Sequence, residues 1–293
     1  MLPKCRTNRV PSAVLFRFSL QVVLLIVPQR TALAQTTSTD YNATRVDFSV
    51  SGAVGGFVIK PNRPDAENLR PWVWYAPTFV KATPGIGKYP NASLEWLFTR
   101  LLDRGIWIGG VDVGESYGNF RGRKEYTRFY KYVRKRFGLS RRPCLLAQSR
   151  GGLMLYNWVV ENSLHAACIA GIYPVTNVES WPGLGSKELE QAYRMSAAQL
   201  QKNQRRINPV DRLSALARNN VPILHLHGDA DKVVSLQQNT IELVTRYRAL
   251  GGKADVEFIH GKGHEEVPEF FQSERLLDFL LKFLNPAPQA RRR

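Results

Sequence analysis

Cysteine is scarce in this chain: three residues in 293, too few for a disulfide-built scaffold. Acidic residues are also in deficit, 24 Asp and Glu against 41 Lys and Arg, for a formal net charge of +17. No apolar run beyond residue 34 is long enough to cross a bilayer. No internal repeat or low-complexity tract is present, so neither a solenoid nor a disordered chain is expected. The shortage of acid is sharpest between Arg121 and Arg142, where ten basic residues face Glu125 alone. Nucleic acid could bind such a stretch, but no nucleic-acid-binding motif accompanies it. Tyr126, Phe129, Tyr130, Val133 and Phe137 recur beneath the charges at helical spacing. The expected structure is therefore an amphipathic helix with a solvated basic face, and no nucleic-acid partner.

The first 34 residues read as a secretory signal peptide. Lys4, Arg6, Arg9 and Arg17 form a basic leader, Leu20 to Val27 an apolar core, and Ala32-Leu33-Ala34 a small-x-small cleavage site. An uncleaved anchor is the alternative. Cleavage would leave about 259 of the 293 residues, enough for one sizeable α/β domain, with no stable membrane insertion and a periplasmic or secreted location. The leader carries five Lys and Arg and no acid, so the remainder would keep a charge of +12. It would also keep Cys144 and Cys168, both in apolar strand-like runs. Free buried thiols are expected there, because a disulfide would need adjacent strands in suitable register. Asn42-Ala43-Thr44 and Asn91-Ala92-Ser93 match the glycosylation acceptor pattern. The terminal Arg291-Arg292-Arg293 is expected to be a frayed tail.

Residues 35–43 are polar and expected to be loose. Arg45–Val50 and Gly55–Ile59 alternate in polarity and suggest an antiparallel hairpin. Apolar strand-like runs follow at Trp72–Ala76, Ile106–Val113, Cys144–Ala147, Ala166–Ile172, Val221–His227 and Ala254–Ile259. Helical patterns fall between them, at Leu94–Leu102, Glu125–Phe137, Leu153–Asn162 and Leu236–Leu250, with a closing helix near Glu274–Phe283. Alternating strands and helices imply a mostly parallel sheet of about eight strands, covered by helices on both faces. The stretch Tyr173–Asn220 interrupts the alternation and reads as a small helical cap over the sheet's carboxyl edge, with structural cover as the alternative.

The most informative segment is Ala147-Gln148-Ser149-Arg150-Gly151-Gly152. An apolar strand ends at a serine and an apolar helix starts at once, with Ala147 and Gly151 small enough for strand and helix to approach. This is the pattern of a nucleophile elbow, with alanine in place of the first motif glycine. The literal match, Gly114-Glu115-Ser116-Tyr117-Gly118, lacks a helix starting at its serine: Asn119-Phe120-Arg121-Gly122-Arg123 reads as loop. An elbow needs that helix, whose first N–H groups face the developing oxyanion.

Ser149 needs a base, and the base needs orientation. Of the five histidines, only His264 lies in a glycine-preceded loop after the last strand. Asp231 is the favoured orienting acid, with Asp229 in the same loop as the alternative. A rival grouping of His225, His227, Asp229 and Asp231 as a metal site leaves the elbow unexplained, so no metal or cofactor is expected. The oxyanion hole should combine the Arg150 N–H with one from Thr78 or Phe79, since Pro77 has none, and the Tyr75 hydroxyl could add a donor. Glu115, Tyr117, Tyr173 and Trp181 are candidate substrate-binding residues. Arg150 could pair with a substrate carboxylate or with Glu115; the pairing with Glu115 is preferred, because an unpaired buried guanidinium is costly.

The order Ser149, Asp231, His264 resembles the α/β-hydrolase superfamily, and within it the catalytic domain of the prolyl oligopeptidase family. The resemblance spans roughly residues 45–284 and rests on Ala-Gln-Ser-Arg-Gly-Gly, His-Gly-x-x-Asp and Gly-x-Gly-His. It implies the α/β-hydrolase fold and an oxyanion role for Tyr75. No propeller precedes the hydrolase segment, so a propeller-gated peptidase is not implied. The leading expectation is an exported serine hydrolase that cleaves small carboxylic esters through an acyl-enzyme. A peptidase acting on short peptides is the alternative, and a silent binding protein on the same fold is the third reading.

Overall fold

In the computed structural model, residues 35–52, 54–62, 70–83 and 86–284 are described. The expected leader and the terminal arginines lie outside these residues. The described residues open with three antiparallel strands, β1 (Gln35–Asp40), β2 (Ala43–Ser51) and β3 (Val54–Lys60). β4 (Trp72–Ala76) leads into a separate small hairpin of β5 (Phe79–Thr83) and β6 (Gly87–Tyr89). Helix α1 (Glu95–Leu102) and strand β7 (Trp107–Val111) follow. Next come α2 (Phe120–Phe137), β8 (Cys144–Gln148), α3 (Gly151–Val159) and β9 (Cys168–Ile172). Helices α4 (Lys187–Tyr193), α5 (Ala197–Ile207) and α6 (Ser214–Arg218) precede β10 (Ile223–Gly228). The chain continues with α7 (Glu242–Ala249), β11 (Ala254–Ile259), α8 (Pro268–Phe271) and α9 (Glu274–Leu284).

Among the described residues the main sheet has nine strands in the order β1-β2-β3-β7-β4-β8-β9-β10-β11. From β7 to β11 every pairing is parallel. The two-residue period of a strand sorts its side chains into two cores. Trp72, Trp74 and Ala76 of β4 pack with Tyr126, Phe129 and Val133 of α2 and Leu155 and Trp158 of α3. Val73 and Tyr75 turn the other way, onto Phe98 and Leu101 of α1 and Leu277 and Leu280 of α9. Because both faces are covered, β8 and β9 are buried at every position, which is why they read as unbroken apolar runs.

Three expectations are corrected. Residues 35–40 form a strand, although five of the six are exposed. An edge strand held by backbone pairing to β2 needs no apolar periodicity, so its sequence carried no signal. Helix α2 starts at Phe120, within the stretch read as loop: Asn119 caps it by accepting from the Gly122 N–H at 2.8 Å. Gly122 sits inside the helix because a Cβ there would lie 2.6 Å from the Ser116 hydroxyl. Lastly, Cys144 and Cys168 form a disulfide rather than free thiols. They are direct partners on the adjacent strands β8 and β9, the register that such a bond requires.

Within residues 173–220, Leu189 of α4 and Leu200 and Ile207 of α5 pack with Tyr117 and with Leu153 of α3 in a third, smaller core. Ser186 and Ser196 cap the two helices, the latter in a reciprocal capping box with Gln199.

Candidate active site

Ser149 opens the two-residue turn between β8 and α3, with φ at +48°. A non-glycine residue rarely adopts that conformation, and here the surroundings impose it. The Ser149 N–H donates to the Ile172 carbonyl at 3.0 Å, and its own carbonyl accepts from Gly152 and Val175 at 2.9 Å each. The two glycines that follow allow the crowding. A Cβ on Gly151 would stand 2.2 Å from the Ala76 carbonyl oxygen and 2.5 Å from the Pro77 nitrogen. One on Gly152 would stand 2.2 Å from the Val175 carbonyl oxygen. The start of α3 is thus pressed against the Ala76-Pro77-Thr78 turn at the end of β4.

The loops after β10 and β11 meet at the same rim. Gly228 packs against the His264 loop so closely that a Cβ would lie 2.1 Å from the Lys262 carbonyl oxygen. Ser149 Oγ lies 2.8 Å from His264 Nε2, and His264 Nδ1 lies 2.8 Å from Asp231 Oδ2. A carboxylate can only accept, so Nδ1 carries the hydrogen, and Nε2 is left to receive the serine proton. Asp229 instead bonds His260 Nδ1 at 2.8 Å and the Gly261 N–H at 2.7 Å, tying its loop to the end of β11.

Asp231 is held by more than His264. Its Oδ1 accepts from the Val233 and Val234 N–H groups at 2.9 and 2.8 Å. Its Oδ2 lies 3.4 Å from His227 Nε2. Burial pushes the carboxyl pKa up, but hydrogen bonds from His227, His264 and the Val234 backbone outweigh it and hold the group well below the usual carboxylate range. Behind it runs a buried chain whose hydrogens can be assigned. His227 Nε2 faces the Val234 carbonyl at 2.9 Å and must donate. His227 Nδ1 therefore accepts from Thr240 Oγ1 at 2.8 Å. Thr240 in turn accepts from His225 Nδ1 at 3.1 Å, and the Tyr156 hydroxyl donates to His225 Nε2 at 2.7 Å. Burial lowers the His225 pKa to about 3, so that imidazole is neutral.

A cavity of about 320 Å³ opens over Ser149 and His264, with Pro77, Tyr89, Gln148, Arg150, Tyr173 and Glu266 in its wall. The predicted binding residues divide. Tyr173 lines the cavity, its ring centroid 4.3 Å from that of His264. Glu115, Tyr117 and Trp181 do not line it; they hold Arg150. Glu115 forms an ion pair with the guanidinium, which lies 5.1 Å from the Trp181 ring centroid, and Trp181 packs on Tyr117 at 5.6 Å. Burial raises the Glu115 pKa against the opposing pull of Arg150. Glu115 faces instead a separate cavity of about 960 Å³ between residues 112–125 and the 191–207 helices. Tyr75 is also corrected. Its side chain turns into the α1/α9 core and its hydroxyl donates to Gln148 Oε1 at 2.6 Å, so it is not an oxyanion donor in this structure. Thr78 is buried, with its hydroxyl bonded to the Tyr75 carbonyl at 3.3 Å. Ser116 sits four residues before α2, where its hydroxyl accepts from the Gly118 N–H at 3.3 Å, and it is not in the wall of the cavity over Ser149.

Sequence reasoning missed Glu266, which follows His264 by two residues and lines the cavity. Its position beside the base was the available signal. Thr240 carried no signal, being a polar residue in a helical stretch.

The model of the prolyl oligopeptidase family matches residues 122–287, more than half of the chain. The chain belongs to the prolyl oligopeptidase family. Its fold is that of the α/β-hydrolases. Among solved structures it resembles Porphyromonas gingivalis dipeptidyl peptidase 4, with TM-score 0.65 and 13% identity over 86% of this chain and 36% of that one. A Pyrococcus horikoshii acylaminoacyl peptidase matches with TM-score 0.62 and 15% identity, over 88% of this chain and 43% of that one. A puromycin-hydrolyzing peptidase of Mycobacterium tuberculosis gives 0.64 and 15%, over 86% and 41%. This chain thus spans less than half the length of these neighbours. No curated protein matches it by sequence.

Proposed function

We propose that this protein hydrolyses short peptides through an acyl-enzyme on Ser149. The observation that carries the reading is the unbroken line Ser149 Oγ, His264, Asp231, with both links at 2.8 Å. Ser149 Oγ attacks the scissile carbonyl carbon as its proton passes to His264 Nε2. The carbonyl oxygen becomes an oxyanion and accepts from the backbone N–H groups of Arg150 and Thr78. When the C–N bond breaks, His264 returns the proton to the leaving amine. Water then cleaves the acyl ester by the same proton path. Asp231, kept ionised by the hydrogen bonds it accepts, holds the imidazole and stabilises its cation.

Family membership favours peptide amides over the carboxylic esters of the sequence reading. A cavity of about 320 Å³ suits one or two residues around the scissile bond rather than a folded substrate. We also propose that the protein works outside the cytosol. The leader-like first 34 residues support this, as does a disulfide between neighbouring strands, which persists in oxidising compartments.

The test is turnover of matched peptide and ester panels by wild type and Ser149→Ala, with fluorophosphonate labelling of both. Wild type should label, prefer peptides and lose at least about 10³-fold in kcat on Ser149→Ala. A folded wild type that neither labels nor turns over any substrate would overturn the reading.

A further inference from the structure

Glu266 stands in the wall of the Ser149 cavity with an unusual set of partners. Tyr89 Oη donates to its Oε1 at 2.8 Å, Gln148 Nε2 donates to Oε1 at 3.2 Å, and Asn91 Nδ2 donates to Oε2 at 2.9 Å. All three donors are neutral. Among the described residues Glu266 has no ion pair with Lys or Arg, in a chain that carries 41 such cations. The cation nearest the nucleophile, Arg150, is already matched by Glu115. Among the described residues, the cavity thus holds one carboxylate that forms no ion pair with Lys or Arg.

The donors also fix where that carboxylate points. Gln148 adjoins the nucleophile, and its own Oε1 is pinned by Tyr75 at 2.6 Å. Asn91 is oriented by accepting from the Ser93 N–H at 3.2 Å. A carboxylate has about four acceptor positions. Oε1 is crowded by Tyr89 and Gln148, and also by Asn91 at 3.2 Å, whereas Oε2 accepts from Asn91 alone. An anchored anion with an open acceptor position, exposed at the cavity wall, is built to receive a cation.

We infer that Glu266 is a specificity-determining residue that binds an ammonium or guanidinium group of the substrate next to the scissile bond. The inference rests on the peptidase reading of the site and names the substrates that site takes. Two sources can supply the cation: a free α-ammonium at the peptide N-terminus, or a Lys or Arg side chain flanking the cleaved bond.

The experiment compares kcat/KM on four chromogenic peptide anilides: a free N-terminus and its N-acetyl counterpart, and a Lys residue at the cleaved position and its norleucine counterpart. Wild type should favour one cationic member of a pair by about tenfold, the low end for a hydrogen bond to a charged group. The pair that shows the preference identifies the source. Added salt should shrink it. Glu266→Gln keeps the shape and the acceptor oxygen but removes the charge, so the cationic-to-neutral ratio should collapse towards one. Glu266→Asp should restore part of it. Equal loss on both members of every pair would mean that Glu266 only positions Gln148 and Tyr89, and would overturn the inference, as would a wild type with no preference. Fluorophosphonate labelling of Ser149 in the same samples separates these outcomes from failure of the hydrolase reading itself.

Discussion

His227 Nε2 lies 3.4 Å from Asp231 Oδ2, on the same carboxylate oxygen that His264 Nδ1 approaches at 2.8 Å. The acid of the site therefore has a second imidazole behind it. That imidazole is locked by Thr240, which is shared in turn with His225.

Thr240→Val tests what the lock does. The substitution keeps the shape and removes the hydroxyl, leaving the His225 and His227 Nδ1 atoms buried without their partner. We expect a loss of about 2–4 kcal/mol in denaturant unfolding, and kcat lower by about tenfold with KM little changed as Asp231 loses its orientation. Wild-type kcat in the variant would show that the chain behind Asp231 is irrelevant to the site.

Acid should destabilise the protein in a window set by His225. Its folded pKa is about 3, against about 6.5 in the unfolded chain, so between those values the unfolded state binds the extra proton. Stability is then fully present above pH ~6.5 and is lost as pH falls towards 3, by about 1.4 kcal/mol per pH unit. Asp231, with its depressed pKa, adds a loss of the same sign at lower pH. Unfolding titrations at pH 7, 6 and 5 measure the slope. His225→Asn should flatten it between pH 6.5 and 5, and an unchanged slope would refute the assignment.

Gly151→Ala should damage catalysis more than any conservative change nearby. The new methyl group would sit 2.2 Å from the Ala76 carbonyl oxygen, and backbone on both sides would have to part. That movement takes the Thr78 N–H away from the position of the oxyanion. Loss of one such donor lowers kcat by about 10²–10³. Circular dichroism would verify that the variant is folded, and near-normal turnover would argue against Thr78 as a donor.

The disulfide closes a loop of 24 residues across β8 and β9. Replacing both cysteines by alanine should cost about 3 kcal/mol, and reduction of wild type should reproduce most of that loss. Equal unfolding midpoints with and without reductant would contradict it.

Much of this was legible in order along the chain. The unbroken apolar runs at 144–147 and 166–172 marked strands buried on both faces. The abrupt change from strand to helix at Ser149 marked the elbow despite its alanine. Chain order selected His264 from five histidines. The polar strand at 35–40 was illegible because an edge held by backbone bonds has no side-chain period. The start of α2 was misread because Gly122, a helix breaker by propensity, is required there by the contact with Ser116.

The sequence alone determined the alternation of elements and the residue types that can carry acyl transfer, because local periodicity and turn chemistry are properties of neighbours in the chain. Tertiary structure decided the pairing of Cys144 with Cys168, the turning of Tyr75 away from the site, the clamping of Arg150 and the neutral donors gathered on Glu266. Each depends on register or direction between segments tens of residues apart. Those relations are fixed only when β8 has found its neighbours and the loops after β10 and β11 have met at its end.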